Sequence, residues 1–221
     1  MKKHCEDTLR QQALRKHLVQ IVRDKGIKDE RVLEAMMKVP RHCFMDNALD
    51  HIAYEDRAFP IAAGQTISQP YTVAYQTELL QLKPYEKVLE IGTGSVYQAT
   101  ILAELRAQVF TIERQKELFN EREKNYPFSG KYPMLKFFYG DGFKGLPTFA
   151  PFDKILVTAA APYIPQPLVD QLKPGGYLVI PVDEGNAQRM KRITKNGDGS
   201  TSEEVFSLFH FVPMVEGKNS R

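Results

Sequence analysis

The sequence predicts an α/β chain built on a doubly wound, mostly parallel sheet, with an antiparallel C-terminal edge hairpin and an N-terminal helical extension. Three observations lead there. From Lys87 onward, short apolar runs alternate with helical patterns, which is the order of a parallel sheet with right-handed crossovers. The first of these runs ends in the pair Gly92 and Gly94, the strand–turn–helix join at which doubly wound sheets bind nucleotides. The chain closes on two strand-like segments around Asn196-Gly197-Asp198-Gly199, a hairpin composition. Together these make the sheet Rossmann-like.

The elements follow in order. Leu14, Leu18, Ile21 and Val22 form one stripe of a helix that Gly26 ends. A second helix is expected over 29–38, with Val32, Leu33 and Met36 inward and Pro40 beyond its end. Residues 54–70 lack periodicity and carry Pro60, Gly64 and Pro70; ordered loops of that length are usually functional. Pro70 opens a helix over 71–80. Strands are expected at 88–91, 109–112, 135–139, 154–157 and 177–181, and helices at 97–105, 115–125 and 165–172. The closing strands fall at 187–194 and 205–209, and Pro174-Gly175-Gly176 stands between the 165–172 helix and the 177–181 strand. No internal repeat or linker interrupts the chain, so 1–221 is expected to be one domain: 1–75 the helices and a site loop, 76–221 the sheet.

Composition narrows the function. Apolar residues make up 43% and charged residues 26%, and the formal net charge is +3. No basic block with interleaved aromatics is present, so nucleic acid is not the expected partner. No apolar run approaches the roughly 20 residues of a membrane span, and no leader-like apolar segment follows Lys2 and Lys3. A cytoplasmic monomer is expected. Cys5 and Cys43 are the two cysteines, form no CxxC pair, and are read as ordinary reduced thiols. The five histidines lack metal-ligand spacing, so no metal is expected.

The glycine loop carries the first functional reading. Glycines let the backbone turn tightly and approach a ligand, and the helix start offers free N–H groups. Alone, such a pair also serves simple turns. Glu113 adds weight, because it ends the next strand about 20 residues on, where a carboxylate reaches ribose hydroxyls. A dinucleotide fingerprint wants Gly or Ala three positions past the second glycine, and Tyr97 stands there. Glu90, just ahead of the glycines, fits the acidic residue that methyltransferases set near the amino-acid end of S-adenosylmethionine. Gly140-Asp141-Gly142 follows the third strand; Asp141 can accept from an adenine amino group, or form a plain Asx turn. Ahead of the sheet, Gly64-Gln65-Thr66-Ile67-Ser68-Gln69-Pro70 presents two hydroxyls. Ser68 is not in a GxSxG setting, and on residue types alone Thr66 or Ser68 reads as a cap of the next helix.

These segments together closely resemble the bacterial protein-L-isoaspartate O-methyltransferase family. The resemblance is carried by Val39-Pro40-Arg41-His42, Tyr54-Glu55-Asp56-Arg57, Gly64 through Pro70, Val88 through Ser95, Gly140-Asp141-Gly142, Pro151-Phe152-Asp153, Thr158-Ala159-Ala160-Ala161-Pro162, Leu172-Lys173-Pro174-Gly175-Gly176 and Phe211-Val212-Pro213. It implies an enzyme that uses S-adenosyl-L-methionine to esterify the free α-carboxylate of L-isoaspartyl residues in damaged proteins and peptides, initiating repair through a succinimide. It implies Ser68 as the active-site serine. Gln65, Thr66 and Ile67 would lie beside cofactor and substrate, Gly92 and Gly94 along the cofactor, Glu113 on the ribose, and Asp141 with Gly142 on the adenine. Arg57 could pair with the substrate carboxylate or with a neighbouring acid.

The chain departs from the family pattern at Val96, where a third glycine is usual. Valine resists positive φ. Either the position is ordinary helical backbone, or Val96 presses on the methionine end of the cofactor. The alternatives to the leading reading are a related methyltransferase with another acceptor and a non-catalytic relative that binds protein surfaces.

Overall fold

The computed structural model describes residues 5–220; Lys2 and Lys3, which entered the leader reading, lie outside them. Helix α1 (Leu9–Asp24) starts at Thr8, whose hydroxyl oxygen accepts from Gln11 N while Gln11 answers to Thr8 N, a reciprocal capping box. Helix α2 (Glu30–Lys38) is capped by Asp29. Their apolar stripes, Leu18, Val22, Val32, Leu33 and Met36, are fully covered.

Two 3-10 turns, Arg41–Phe44 and Asn47–Leu49, lead into a short antiparallel ladder of β1 (Phe59–Pro60) and β2 (Thr66–Ile67). Helix α3 (Pro70–Leu79) follows. The sheet then alternates: β3 (Lys87–Ile91), α4 (Tyr97–Glu104), β4 (Gln108–Glu113), α5 (Lys116–Asn125), β5 (Leu135–Tyr139), β6 (Phe152–Val157), α6 (Gln166–Asp170), β7 (Leu172–Asp183), β8 (Gln188–Lys195) and β9 (Thr201–Phe209).

The large sheet has seven strands in the order β5-β4-β3-β6-β7-β8-β9. Strands β3 to β7 are parallel, and β8 and β9 are antiparallel. The chain moves outward from β3 to β5 and then returns to lay β6 on the other side of β3. That reversal opens a crevice at the carboxyl ends of β3 and β6, the place where such sheets bind ligands. Alternation along the strands fills both faces: Val88 and Val109 join the core beneath α1–α4, whereas Leu89, Ile91, Phe110 and Ile112 join the core beneath α6.

Three expectations are corrected. Pro174-Gly175-Gly176 does not separate a helix from a strand but lies inside β7 as a bulge, since Phe152 pairs with Leu172 while Lys154 already pairs with Tyr177. The loop 54–70 contains the β1–β2 ladder, too short for any period to reveal. The cysteines are not free thiols: Cys5 and Cys43, 38 residues apart, are joined in a disulfide, because the arm ahead of α1 folds back on the Arg41–Phe44 turn.

Candidate active site

The crevice is a cleft lined by residues from the carboxyl ends of β3, β4 and β6 and from the segment ahead of α3. Its floor is the turn after β3, Gly92 to Ser95. Glu113 and Arg114 at the end of β4, with Gly142 after β5, form one side. Thr158 and Ala159 after β6, with Val212 to Val215, form the other, and Gln65 to Ser68 form the roof.

The floor is shaped by close approach. A Cβ on Gly92, which has φ 98°, would stand 2.5 Å from Thr158 Oγ1. That hydroxyl lies 2.9 Å from both the Ile91 and Gly92 carbonyl oxygens. It therefore ties the first strand of the site to the fourth. Glu113 is nearly buried and holds the loop from the other side: Oε2 accepts from Gly94 N at 3.0 Å and Oε1 from Gln115 N at 2.8 Å. A carboxylate has about four lone-pair sites, so Glu113 keeps acceptor capacity toward the cleft it lines.

The roof is set by Asp56. Its Oδ1 accepts from Tyr71 N at 2.8 Å, in the first turn of α3, and its Oδ2 from Gln69 Nε2 at 3.1 Å and Lys25 Nζ at 2.5 Å. Asp56 thus serves the helix start that Thr66 or Ser68 was expected to cap, and the Ser68 hydroxyl has no hydrogen-bond partner among the described residues. The β1–β2 pairing, with Ile61 N donating to Gln65 O at 2.8 Å, holds the segment over the cleft.

Of the residues singled out in the sequence, Gln65, Thr66, Ile67, Ser68, Gly92, Gly94, Glu113 and Gly142 line the cleft. Glu90 and Asp141 do not. Asp141 Oδ1 accepts from Phe143 N at 3.0 Å in an Asx turn beside Gly142. Glu90 points beneath the loop and is wholly buried. Its Oε2 accepts from Thr111, Thr111 meets Thr93 at 2.7 Å, and its Oε1 has no partner among the described residues. Burial, reinforced by the nearby Glu113 charge, pushes its carboxyl up to about 8, against the Thr111 hydrogen bond.

Arg57 is 2.7 Å from Glu55, lies over the Phe59 ring and is not part of the cleft. Val96 settles into the left-handed region at φ 72° and ψ −3°, as the N-cap of α4. It is fully buried and lines a neighbouring hollow with Phe44 and Arg122 rather than the cofactor cleft.

Tyr97 and Gln98, which end the loop 90–98 read from the sequence as the cofactor loop, line the cleft as the first turn of α4. Other lining residues escaped sequence reasoning: Arg114 is fixed by donating from Nε to Gly217 O at 3.0 Å. The segment after β9 reaches the site because Ala160 N donates to Val212 O and Met214 N to Ala160 O, at 2.8 and 2.7 Å. Its only sequence trace is the Phe211-Val212-Pro213 motif.

The model of the protein-L-isoaspartate(D-aspartate) O-methyltransferase family (PCMT) matches residues 12–219. A protein-L-isoaspartate O-methyltransferase of Cytophaga hutchinsonii is 52% identical over 98% of this chain and 98% of its own length. One from Flavobacterium johnsoniae is 51% identical over 97% of this chain and all of its own. Among solved structures, a protein-L-isoaspartate O-methyltransferase superposes with TM-score 0.80 at 26% identity, covering 90% of this chain and 65% of that one. A candidate PCMT from Plasmodium falciparum, in complex with S-adenosyl-L-homocysteine, superposes with TM-score 0.77 at 26% identity over 91% of this chain and 98% of its own. With this cleft at the switch point of this sheet, the chain belongs to the protein-L-isoaspartate(D-aspartate) O-methyltransferase family.

Proposed function

We propose that the chain methylates the free α-carboxylate of L-isoaspartyl residues in damaged proteins and peptides, with S-adenosyl-L-methionine as the donor. One observation carries the reading: the fold sets a serine with an unengaged hydroxyl over a cleft whose floor is a close-approach glycine turn and whose side holds the Glu113 carboxylate. When bound, S-adenosyl-L-methionine supplies an electrophilic methyl group on a sulfonium. The residues present fit it. Glu113 has acceptor capacity for ribose hydroxyls, and the Gly92–Gly94 turn leaves backbone open to the amino-acid end. Gly142, packed so closely that a Cβ would strike Ile91, lines the same side of the cleft next to Asp141, where the adenine would lie. Glu90, under the floor, acts on the loop rather than on the ligand directly.

The acceptor carboxylate is already ionised near neutral pH, so no residue needs to take a proton from it. What the protein contributes is alignment, which can supply several kcal/mol. Ser68 Oγ donates a hydrogen bond that orients the carboxylate and is not itself a nucleophile. The methyl ester then closes to a succinimide, and hydrolysis returns part of it as normal aspartate. We also read residues 1–75 and 76–221 as parts of one methyltransferase domain, the first roofing the second.

Ser68→Ala tests this reading. A hydrogen bond to a charged group contributes about 1.5–3 kcal/mol, so kcat should fall about 10- to 100-fold. The Kd for S-adenosyl-L-homocysteine should stay within about twofold, a shift of under about 0.5 kcal/mol. Wild-type kcat in the variant overturns the role of Ser68.

A further inference from the structure

Cys5, in the arm ahead of α1, is disulfide-bonded to Cys43, with Cα atoms 5.5 Å apart. They are the chain's two cysteines. Cys43 is 5% exposed, whereas Cys5 is only partly covered. An incoming thiolate therefore meets the Cys5 sulfur. A third group stands against both sulfurs: His42 Nε2 is 3.3 Å from Cys5 Sγ and 3.8 Å from Cys43 Sγ.

The hydrogen-bond network assigns the His42 tautomer. Arg15 donates to the Tyr54 hydroxyl oxygen at 3.0 Å, so the Tyr54 proton is directed at His42 Nδ1, 2.8 Å away. Nε2 then carries the ring proton, facing the Glu6 carbonyl oxygen at 3.1 Å with both sulfurs alongside. Asp7, held by Arg15 through two contacts of 2.8 and 2.9 Å, keeps the arm in place next to this histidine.

We propose that Cys5–Cys43 is a reversible dithiol–disulfide site that exchanges with a dithiol reductant at Cys5, with His42 as the positioning residue for the Cys43 thiolate. A thiolate of the reductant attacks Cys5 Sγ, and the Cys5–Cys43 bond breaks. Cys43 leaves as a thiolate and accepts a hydrogen bond from His42 Nε2–H. The reductant's second thiol then attacks its own sulfur in the mixed disulfide and releases Cys5. Two electrons pass to the protein, the two thiol protons end on Cys5 and Cys43, and the reductant ends as its disulfide. Exchange is faster when the leaving thiolate is stabilised, and a neighbouring donor stabilises it. The site also adjoins the cleft. Phe44, next to Cys43, packs edge-on against Tyr97 at 5.5 Å, and Tyr97 lines the cleft.

The test uses the whole folded protein. Dithiothreitol is added at neutral pH, thiols are alkylated over time, and near-UV circular dichroism is followed in parallel. Separately, glutathione adducts are mapped by peptide mass. The expected result is complete reduction with the native spectrum retained, reversal by oxidised glutathione, and a glutathione adduct on Cys5. His42→Phe should slow reduction about tenfold, and His42→Gln, which keeps an N–H donor, should recover part of the rate. A bond that resists the dithiol until the protein unfolds overturns the proposal. So does an adduct on Cys43, or a wild-type reduction rate in folded His42→Phe.

Discussion

Val96 sits where a β-branched side chain is strained, at φ 72°. The left-handed region disfavours an L-residue by about 1–2 kcal/mol. Its burial works the other way, since covering a valine side chain contributes about 1.5–3 kcal/mol. Val96→Gly should therefore change stability by no more than about 1 kcal/mol, read by urea unfolding. Because Val96 faces the neighbouring hollow, the affinity for S-adenosyl-L-homocysteine should match wild type in a calorimetric titration. A gain of fivefold or more on the glycine variant, about 1 kcal/mol, would show that the side chain does press on the cofactor. At this scale the sequence was legible for residues that line the cleft from their own loop, as Gly92, Gly94 and Glu113 do, whereas Ser68 read on residue types as a cap and was singled out only by the family resemblance. It was not legible where contact is made at a distance. Nothing near Glu90 in sequence says that Thr111 would hold it under the floor, and nothing near Val212 places it against Ala160.

The roof is the element on which the site depends most. Asp56 joins α3, Gln69 and Lys25 through one carboxylate. Replacing a capping carboxylate by alanine typically costs about 0.5–2 kcal/mol, and Asp56 also loses its bond to Gln69. Asp56→Ala should lower the unfolding free energy by about 1–2 kcal/mol, whereas Asp56→Asn, which keeps an acceptor oxygen for Tyr71 N, should recover much of the loss. Equal urea midpoints for wild type and Asp56→Ala would remove Asp56 from this role. The strands and helices of the sheet were legible because each repeats a period over several residues. The β1–β2 ladder, two residues per strand, has no period to read. The cap arrives from Asp56, well ahead of the helix, so the sequence pointed instead to the adjacent Thr66 and Ser68. The bulge in β7 hid in a Pro-Gly-Gly string that also makes turns.

Across the whole molecule, a buried proton links stability to pH. Glu90 has a folded value of about 8, raised chiefly by burial from an ordinary 4.5. A carboxyl whose folded pKa is raised favours the folded state while it is protonated in both states. That contribution is complete below about 4.5 and is lost progressively as pH rises to about 8. Glu90→Gln cannot ionise, so its stability relative to wild type should rise by on the order of a few kcal/mol between pH 5 and pH 8. Parallel urea-unfolding curves for the two proteins across that range would refute the buried protonated state. The strand order was legible as a class because βα alternation admits few right-handed arrangements. The disulfide was not: Cys5 and Cys43 meet only because the arm folds back on the Arg41–Phe44 turn.

The cleft, its free serine and the family membership converge on one reaction, and one assay addresses it directly. Labelled S-adenosyl-L-methionine is incubated with the protein and either an isoaspartyl peptide or its normal aspartyl twin. The expected result is base-labile label, as a methyl ester, on the isoaspartyl peptide and none on the twin. Label on neither peptide, or on both alike, contradicts the proposed function.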